Sequence, residues 1–197
     1  MFEKLFATCF ADDIMIQGEP ATVIRSLEGM VAPLESAGLN IKYVKVLPHS
    51  AAVADAYSLA FSKSELSKQK QTEAKFELVS PLDAEDLAAQ VQAGLTYVGV
   101  PIGTDSFVKS DVRKRVVEAE RTLHTLVDFA HKGPKDTSRS ANRFNHASYT
   151  MHMFSLCGTT RFDYLYHHIP PRIMDGLADH IQKFLDDSLK LLASRSP

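Results

Sequence analysis

Four residues, Phe10-Ala11-Asp12-Asp13, limit what the first part of this chain can become. Two adjacent acids separate the short apolar runs Leu5-Phe6-Ala7-Thr8-Cys9 and Ile14-Met15-Ile16, and neither run is long enough for a helix. Such a pattern predicts an antiparallel β-hairpin with acid at its tip. Asp also favours turns by bonding its own backbone, so the dipeptide by itself is compatible with a simple turn. A second possibility is chemical. Mg²⁺ takes oxygen ligands in near-octahedral geometry and is usually held by one or two carboxylates together with substrate phosphates. Successive side chains of a strand point to opposite faces, so one acid of the pair should ligate more strongly than the other, and Asp12 is the better candidate.

The following segment has helical spacing. Val23, Leu27, Met30, Val31 and Leu34 lie on one face, with Pro20 suited to the first turn and Gly38 to the C-terminal stop. Beyond it, residues 51–61 are Ala-rich, residues 62–71 are polar and Lys-rich, and residues 75–79 could form a short strand. Ser80-Pro81-Leu82-Asp83 reads as a helix start with Asp83 as cap and residues 84–91 as the helix. Three further helices are expected. Residues 111–131 place Val112, Val116, Ala119, Leu123, Leu126 and Ala130 on one face with Ser110 as N-cap. Residues 139–156 carry Phe144, Ala147, Met151 and Phe154, and Gly158 ends them. Pro170-Pro171 opens a last helix carrying Ile173, Leu177, Ile181, Phe184, Leu185 and Leu192.

The blocks and their order resemble those of reverse transcriptases of the non-LTR retroelement type. Aromatic-Ala-Asp-Asp between apolar strands is similar to that family's catalytic hairpin. Gly38-Leu39-Asn40-Ile41-Lys42-Tyr43-Val44-Lys45 resembles its Gly-Leu-x-x-Asn-x-x-Lys block, with Lys42 at the usual Asn position. Leu95-Thr96-Tyr97-Val98-Gly99-Val100-Pro101-Ile102-Gly103 resembles the Leu-Gly-x-Pro-Ile-Gly primer-grip hairpin, with Val98 replacing the leucine. Arg161-Phe162-Asp163-Tyr164-Leu165-Tyr166-His167-His168-Ile169-Pro170-Pro171 is similar to the Arg-x-x-Tyr-x-x-Arg-x-x-Pro-Pro segment after the palm, with histidine at the second arginine.

The resemblance implies an α+β fold. Residues 1–108 would be a partial palm, with the antiparallel hairpin and helix, an insertion and the primer-grip hairpin, and residues 109–197 a mainly α-helical, thumb-like bundle. It implies an RNA-directed DNA polymerase, transferring nucleoside monophosphate from a dNTP to a primer 3′-hydroxyl on a primer-template duplex with Mg²⁺. Asp12 and Asp13 would be the metal and catalytic carboxylates, and Lys45 would act near the triphosphate. Val98, Gly99, Val100, Pro101, Ile102 and Gly103 would grip the primer. Phe10 keeps the ring of the more usual tyrosine without its hydroxyl. The family's other metal aspartate and its nucleotide-binding fingers lie well upstream of the hairpin, whereas Met1 is nine residues before Phe10. The chain alone is therefore expected not to polymerise, and the hairpin edge that would meet the upstream strand is expected to be unpaired.

Lys109, Arg113, Lys114, Arg115 and Arg121 gather on and before the helix at 111–131, where they could neutralise nucleic-acid phosphates. Asp111, Glu118 and Glu120 are interleaved with them, so an ordinary solvated face with i,i+4 pairs is the competing reading. The rival to an enzyme fragment is a non-catalytic nucleic-acid-binding or interaction module with a vestigial acid pair.

Composition sets the outer limits. A chain of 197 residues, 45% hydrophobic and 23% charged, has ordinary globular content, and its net charge of −2 gives no global pull on polyanions. Cys9 and Cys157 match neither a disulfide framework nor a zinc site and are expected to be buried thiols in a reducing, intracellular setting. His146, His152, His167 and His168 also lack zinc spacing, and Met151, Met153 and Phe154 read as core. No apolar run approaches the roughly 18 residues that span a bilayer.

Overall fold

The computed structural model describes residues 5–10, 13–67, 75–132 and 146–193. The fold is mixed α+β, and the chain divides into two compact units, Met1–Val108 and Lys109–Pro197.

The first unit begins with the expected hairpin. Strands β1 (Phe6–Phe10) and β2 (Asp13–Gln17) pair antiparallel, with Thr8 opposite Met15 and Phe10 opposite Asp13. Helix α1 (Pro20–Ser36) follows, with Pro20 in its first turn. Its end is closed by two backbone bonds, Gly38 N–H to the Glu35 carbonyl and Leu39 N–H to the Leu34 carbonyl, both 2.9 Å, which satisfy carbonyls the helix leaves unpaired. Strand β3 (Tyr43–Val46) then leads into helix α2 (Ala51–Lys63), whose cap Ser50 accepts from Val53 N–H. Strand β4 (Lys75–Leu78) returns parallel to β3. A parallel pair needs a crossover of this length, and α2 supplies it.

These elements share one apolar cluster. Val23 and Ile24 of α1, Val46 of β3 and Tyr57 of α2 are buried at its centre, and Ile16, Val44, Phe61, Phe76 and Leu78 pack around them. The Phe61 and Phe76 rings stack with centroids 4.0 Å apart. The Tyr57 hydroxyl donates to the Gly18 carbonyl at 3.1 Å, tying α2 to the end of the hairpin. Burial, and secondarily the Glu19 carboxylate, raises the Tyr57 pKa above the ordinary value of 10.0.

Helix α3 (Leu87–Gln92) is shorter and later than its sequence suggests, because Asp86 caps it by accepting from Ala89 N–H at 3.0 Å. Asp83 is therefore not the cap. Strands β5 (Gly94–Tyr97) and β6 (Val100–Gly103) form a second antiparallel hairpin. Helix α4 (Asp105–Lys132) follows at once, with Thr104 Oγ1 accepting from Phe107 N–H at 3.2 Å. Thr104, not Ser110, is the cap, and Ser110 lies inside the helix.

In the second unit, α4 buries Val112, Val116, Ala119, Leu123 and Val127. Val127 takes the place expected for Leu126, which is half-buried, and the Ala130 side chain lies outside the described residues. Helices α5 (His146–Met153) and α6 (Thr160–His168) are joined without a break by a π-helical stretch, Phe154–Thr159. Gly158 thus does not end a helix: the wider i→i+5 ladder carries the backbone through it. Phe154 is buried as expected, whereas Met151 is exposed and Met153 half-buried. Phe144 lies outside the described residues. After the one-turn α7 (Pro171–Met174), a break at Gly176 separates the last helix, α8 (Leu177–Ala193), from the Pro-Pro start. His180 Nε2 and Glu120 Oε1 lie 2.6 Å apart and link α8 to α4. Among the described residues, no helix is long and apolar enough to cross a membrane.

Candidate functional site

Alternation along the first hairpin gives its two faces different tasks. Ala7, Cys9, Ile14 and Ile16 share one face, and Ile16 packs on the apolar cluster. Phe6, Thr8, Asp13 and Met15 share the other. Asp13 is exposed at the end of β2, and Asp12 lies outside the described residues. Cys9 is exposed, against the expectation of a buried thiol, near the tip end of a strand whose sheet partner among the described residues is β2 alone. Cys157 keeps its side chain outside the described residues.

The second hairpin reaches the first on its Asp13 face. Thr8 Oγ1 and Tyr97 Oη, 89 residues apart in sequence, share a hydrogen bond of 3.3 Å in which either hydroxyl can donate. Tyr97 immediately precedes the two-residue tip Val98-Gly99, where both backbones adopt positive φ, 49° and 80°. That combination defines a type I′ turn, whose twist matches the flanking strands. Glycine takes this conformation readily, but a β-branched residue there is strained.

The base of the second hairpin is packed to contact. Gly94 and Gly103 stand opposite each other, and a Cβ on Gly103 would lie 2.3 Å from the Ala93 carbonyl oxygen. A Cβ on Gly94 would lie 2.1 Å from the Phe107 ring. The close approach permitted by Gly103 is thus made to the protein's own backbone. Pro101 is buried in β6, a strand with a single partner, where its missing N–H is tolerated. Val98, Gly99 and Val100 are half-buried and Ile102 is 37% exposed. Gln90 braces the junction: its carbonyl accepts from Thr104 Oγ1 at 2.5 Å, and its side chain meets Ala84 O and Ser106 Oγ.

Lys45 sits elsewhere. Val44 and Val46 turn toward the apolar cluster, so Lys45 occupies the opposite face of β3, where its Nζ lies 3.4 Å from Glu77 Oε2 across the parallel pair. Both side chains are about half exposed, so the pair holds the lysine by roughly 0–1 kcal/mol. One hydrogen bond joins the acid hairpin to the Gly/Pro hairpin, and the ion-pair partner of Lys45 among the described residues is Glu77.

On α4, Lys109, Arg113, Lys114 and Arg121 are exposed and have no ion-pair partner among the described residues. Arg115 is half-buried and bound to Asp111 through Nε, 2.5 Å from Oδ2. Glu120 is occupied by His180. Of the three interleaved acids, Asp111 pairs with Arg115 at i,i+4, Glu120 meets His180, and Glu118 has no ion-pair partner among the described residues.

Among the described residues, no three His, Cys, Asp or Glu side chains converge on a point that could hold a metal. Sequence reasoning overlooked Thr8, Tyr97 and Gln90, whose roles depend on contacts across 6 to 89 residues. The only local hint was Tyr97, placed directly before a turn. No family model, no curated protein and no solved structure matches this chain.

Proposed function

We propose that this chain is the palm-hairpin-to-thumb part of an RNA-directed DNA polymerase of the non-LTR retroelement type. In the intact enzyme it would contribute to template-directed transfer of nucleoside monophosphate to a primer 3′-hydroxyl. The observation that carries the reading is the Thr8–Tyr97 contact, which seats the Gly/Pro hairpin against the Asp13 face of the acid hairpin. A primer end held by residues 98–103 would then lie beside the carboxylates.

Asp12 and Asp13 suit magnesium in donor chemistry but not in number. An octahedral ion would need further oxygens from water, the triphosphate and a carboxylate on another strand. When bound between such groups, magnesium supplies charge stabilisation to the attacking and leaving oxygens. Asp12 would ligate, Asp13 would add negative potential, and Lys45 would have to leave Glu77 to approach a triphosphate. Lys109, Arg113, Lys114 and Arg121 would meet duplex phosphates, with Arg115 a weaker contributor because Asp111 already engages it.

The second reading is a non-catalytic nucleic-acid-binding module with a vestigial acid pair, favoured by the exposed cations of α4 that have no ion-pair partner among the described residues. Primer extension separates the two. The chain is combined with a polypeptide supplying an acidic palm strand and fingers, and Asp12→Ala should then abolish extension. Extension that survives Asp12→Ala would remove Asp12 from the metal site. Nucleic-acid binding with no extension even for the unchanged chain would favour the module.

A further inference from the structure

A cleft of about 340 Å³ opens between α4 and α6 within the second unit. Its floor is apolar, from Ala119 and Leu165, both at least 95% buried. Arg115 and Glu118 of α4 and Arg161 and Tyr164 of α6 form its walls. Arg115 is committed to Asp111, whereas the Arg161 guanidinium and the Glu118 carboxylate have no partner among the described residues. Among the described residues, a cation and an anion without ion-pair partners thus face one cavity beside Tyr164.

That charge balance disfavours a phosphate, because Glu118 would repel it. It favours a planar group that presents acceptors to a guanidinium and donors to a carboxylate. Guanine does both: O6 and N7 accept from arginine, and the neighbouring N1–H and N2–H₂ donate to a carboxylate. No other base offers two donor groups side by side to one carboxylate. The apolar floor suits a base face, and Tyr164, one side of whose ring stacks on His168 with centroids 4.3 Å apart, borders it.

The neighbourhood supplies the rest of the strand's needs. Lys114 lies four residues before Glu118 and Arg121 three after it, so both border the cleft along α4. Each is exposed and without an ion-pair partner among the described residues, placed for the phosphates flanking an inserted base. We propose that the α4–α6 cleft is a binding site for an unpaired guanine base of a single-stranded nucleic acid, held by Arg161 and Glu118. The site owes nothing to Asp12 or Asp13 and shares with the polymerase reading the cations of α4 and the Arg161–Tyr164 segment.

The test uses the full chain and fluorescence anisotropy with a short oligouridine RNA, against the same RNA carrying one central guanosine or one central adenosine. The guanosine strand should bind on the order of tenfold more tightly than either of the others. Arg161→Ala and Glu118→Ala, both at exposed helix positions, should each bring the guanosine-to-adenosine affinity ratio close to one. Equal affinity for the three RNAs would overturn the proposal, as would a preference that survives both substitutions. If Glu118→Ala instead tightens every strand alike and Arg161→Ala weakens every strand alike, the cleft is a phosphate cradle and the guanine assignment is wrong. Guanine-indifferent binding would sink this inference alone, whereas no binding to any strand would also remove the nucleic-acid role given to α4.

Discussion

Val98 holds a backbone conformation that its branched side chain resists, and it does so at the tip of the hairpin that touches Thr8 through Tyr97. An L-residue other than Asn or Gly in this region costs about 1–2 kcal/mol. Asn-Gly is the preferred pair for such a turn, so Val98→Asn should stabilise the first unit by about 0.5–1 kcal/mol, read as a rise in the urea midpoint of its transition. A lower midpoint would mean that the contacts of the half-buried valine outweigh the backbone cost. At this scale the sequence was partly readable. Gly99 announced a bend and the acid pair announced a tip, but a valine with positive φ contradicts every local preference and is visible only once the hairpin is built. Cys9 misled for a similar reason: its residue type favours burial, and its exposure is visible only in the folded hairpin.

Where elements meet, the base of the second hairpin tests how tightly they fit. Gly103→Ala would drive a methyl group into the Ala93 carbonyl and the Gly94 Cα, backbone atoms with nowhere to go. Gly94→Ala would strike the Phe107 ring instead. Each should destabilise by about 1–3 kcal/mol or more, as overpacking does. The two differ in rescue. Phe107→Ala should recover part of the loss in Gly94→Ala and none of it in Gly103→Ala, measured by thermal unfolding of the single and double variants. Equal rescue of both would show that the contact with the ring is not what excludes a side chain at Gly94. Element type was legible for β1, β2, α1, β4 and α4 because their apolar spacing is regular. Boundaries were not, because Thr104 and Asp86 outcompeted the nearby capping residues Ser110 and Asp83 through contacts that depend on the hairpin being folded. The parallel β3–β4 pair was invisible for a related reason, since strand direction is decided by what α2 covers and not by the strands themselves.

For the molecule as a whole, the two units bury their apolar residues very differently. The second sets long helices around Phe154, Phe162, Leu165 and Ile181, all at least 97% buried, whereas Phe6 on β1 is 70% exposed and β1 has only β2 as a partner among the described residues. An exposed edge with a large apolar side chain is a place where chains associate and proteases enter. Limited proteolysis should therefore cut in the β1–β2 hairpin before it cuts within α4, α6 or α8, read by mass spectrometry of the first fragments. Cleavage within those three helices first would reverse this order of local stability.

The apolar cluster under the first hairpin has a further consequence, in time. Ile16 rests on a cluster completed by Tyr57, Phe76 and Leu78, which are translated long after it. At about 5–20 residues per second, the ribosome needs several seconds to deliver them. Throughout that interval the nascent hairpin is without its cover, so a strand made before most of its cluster is secured only after it, and a chaperone meeting this segment at the exit tunnel would find its client there.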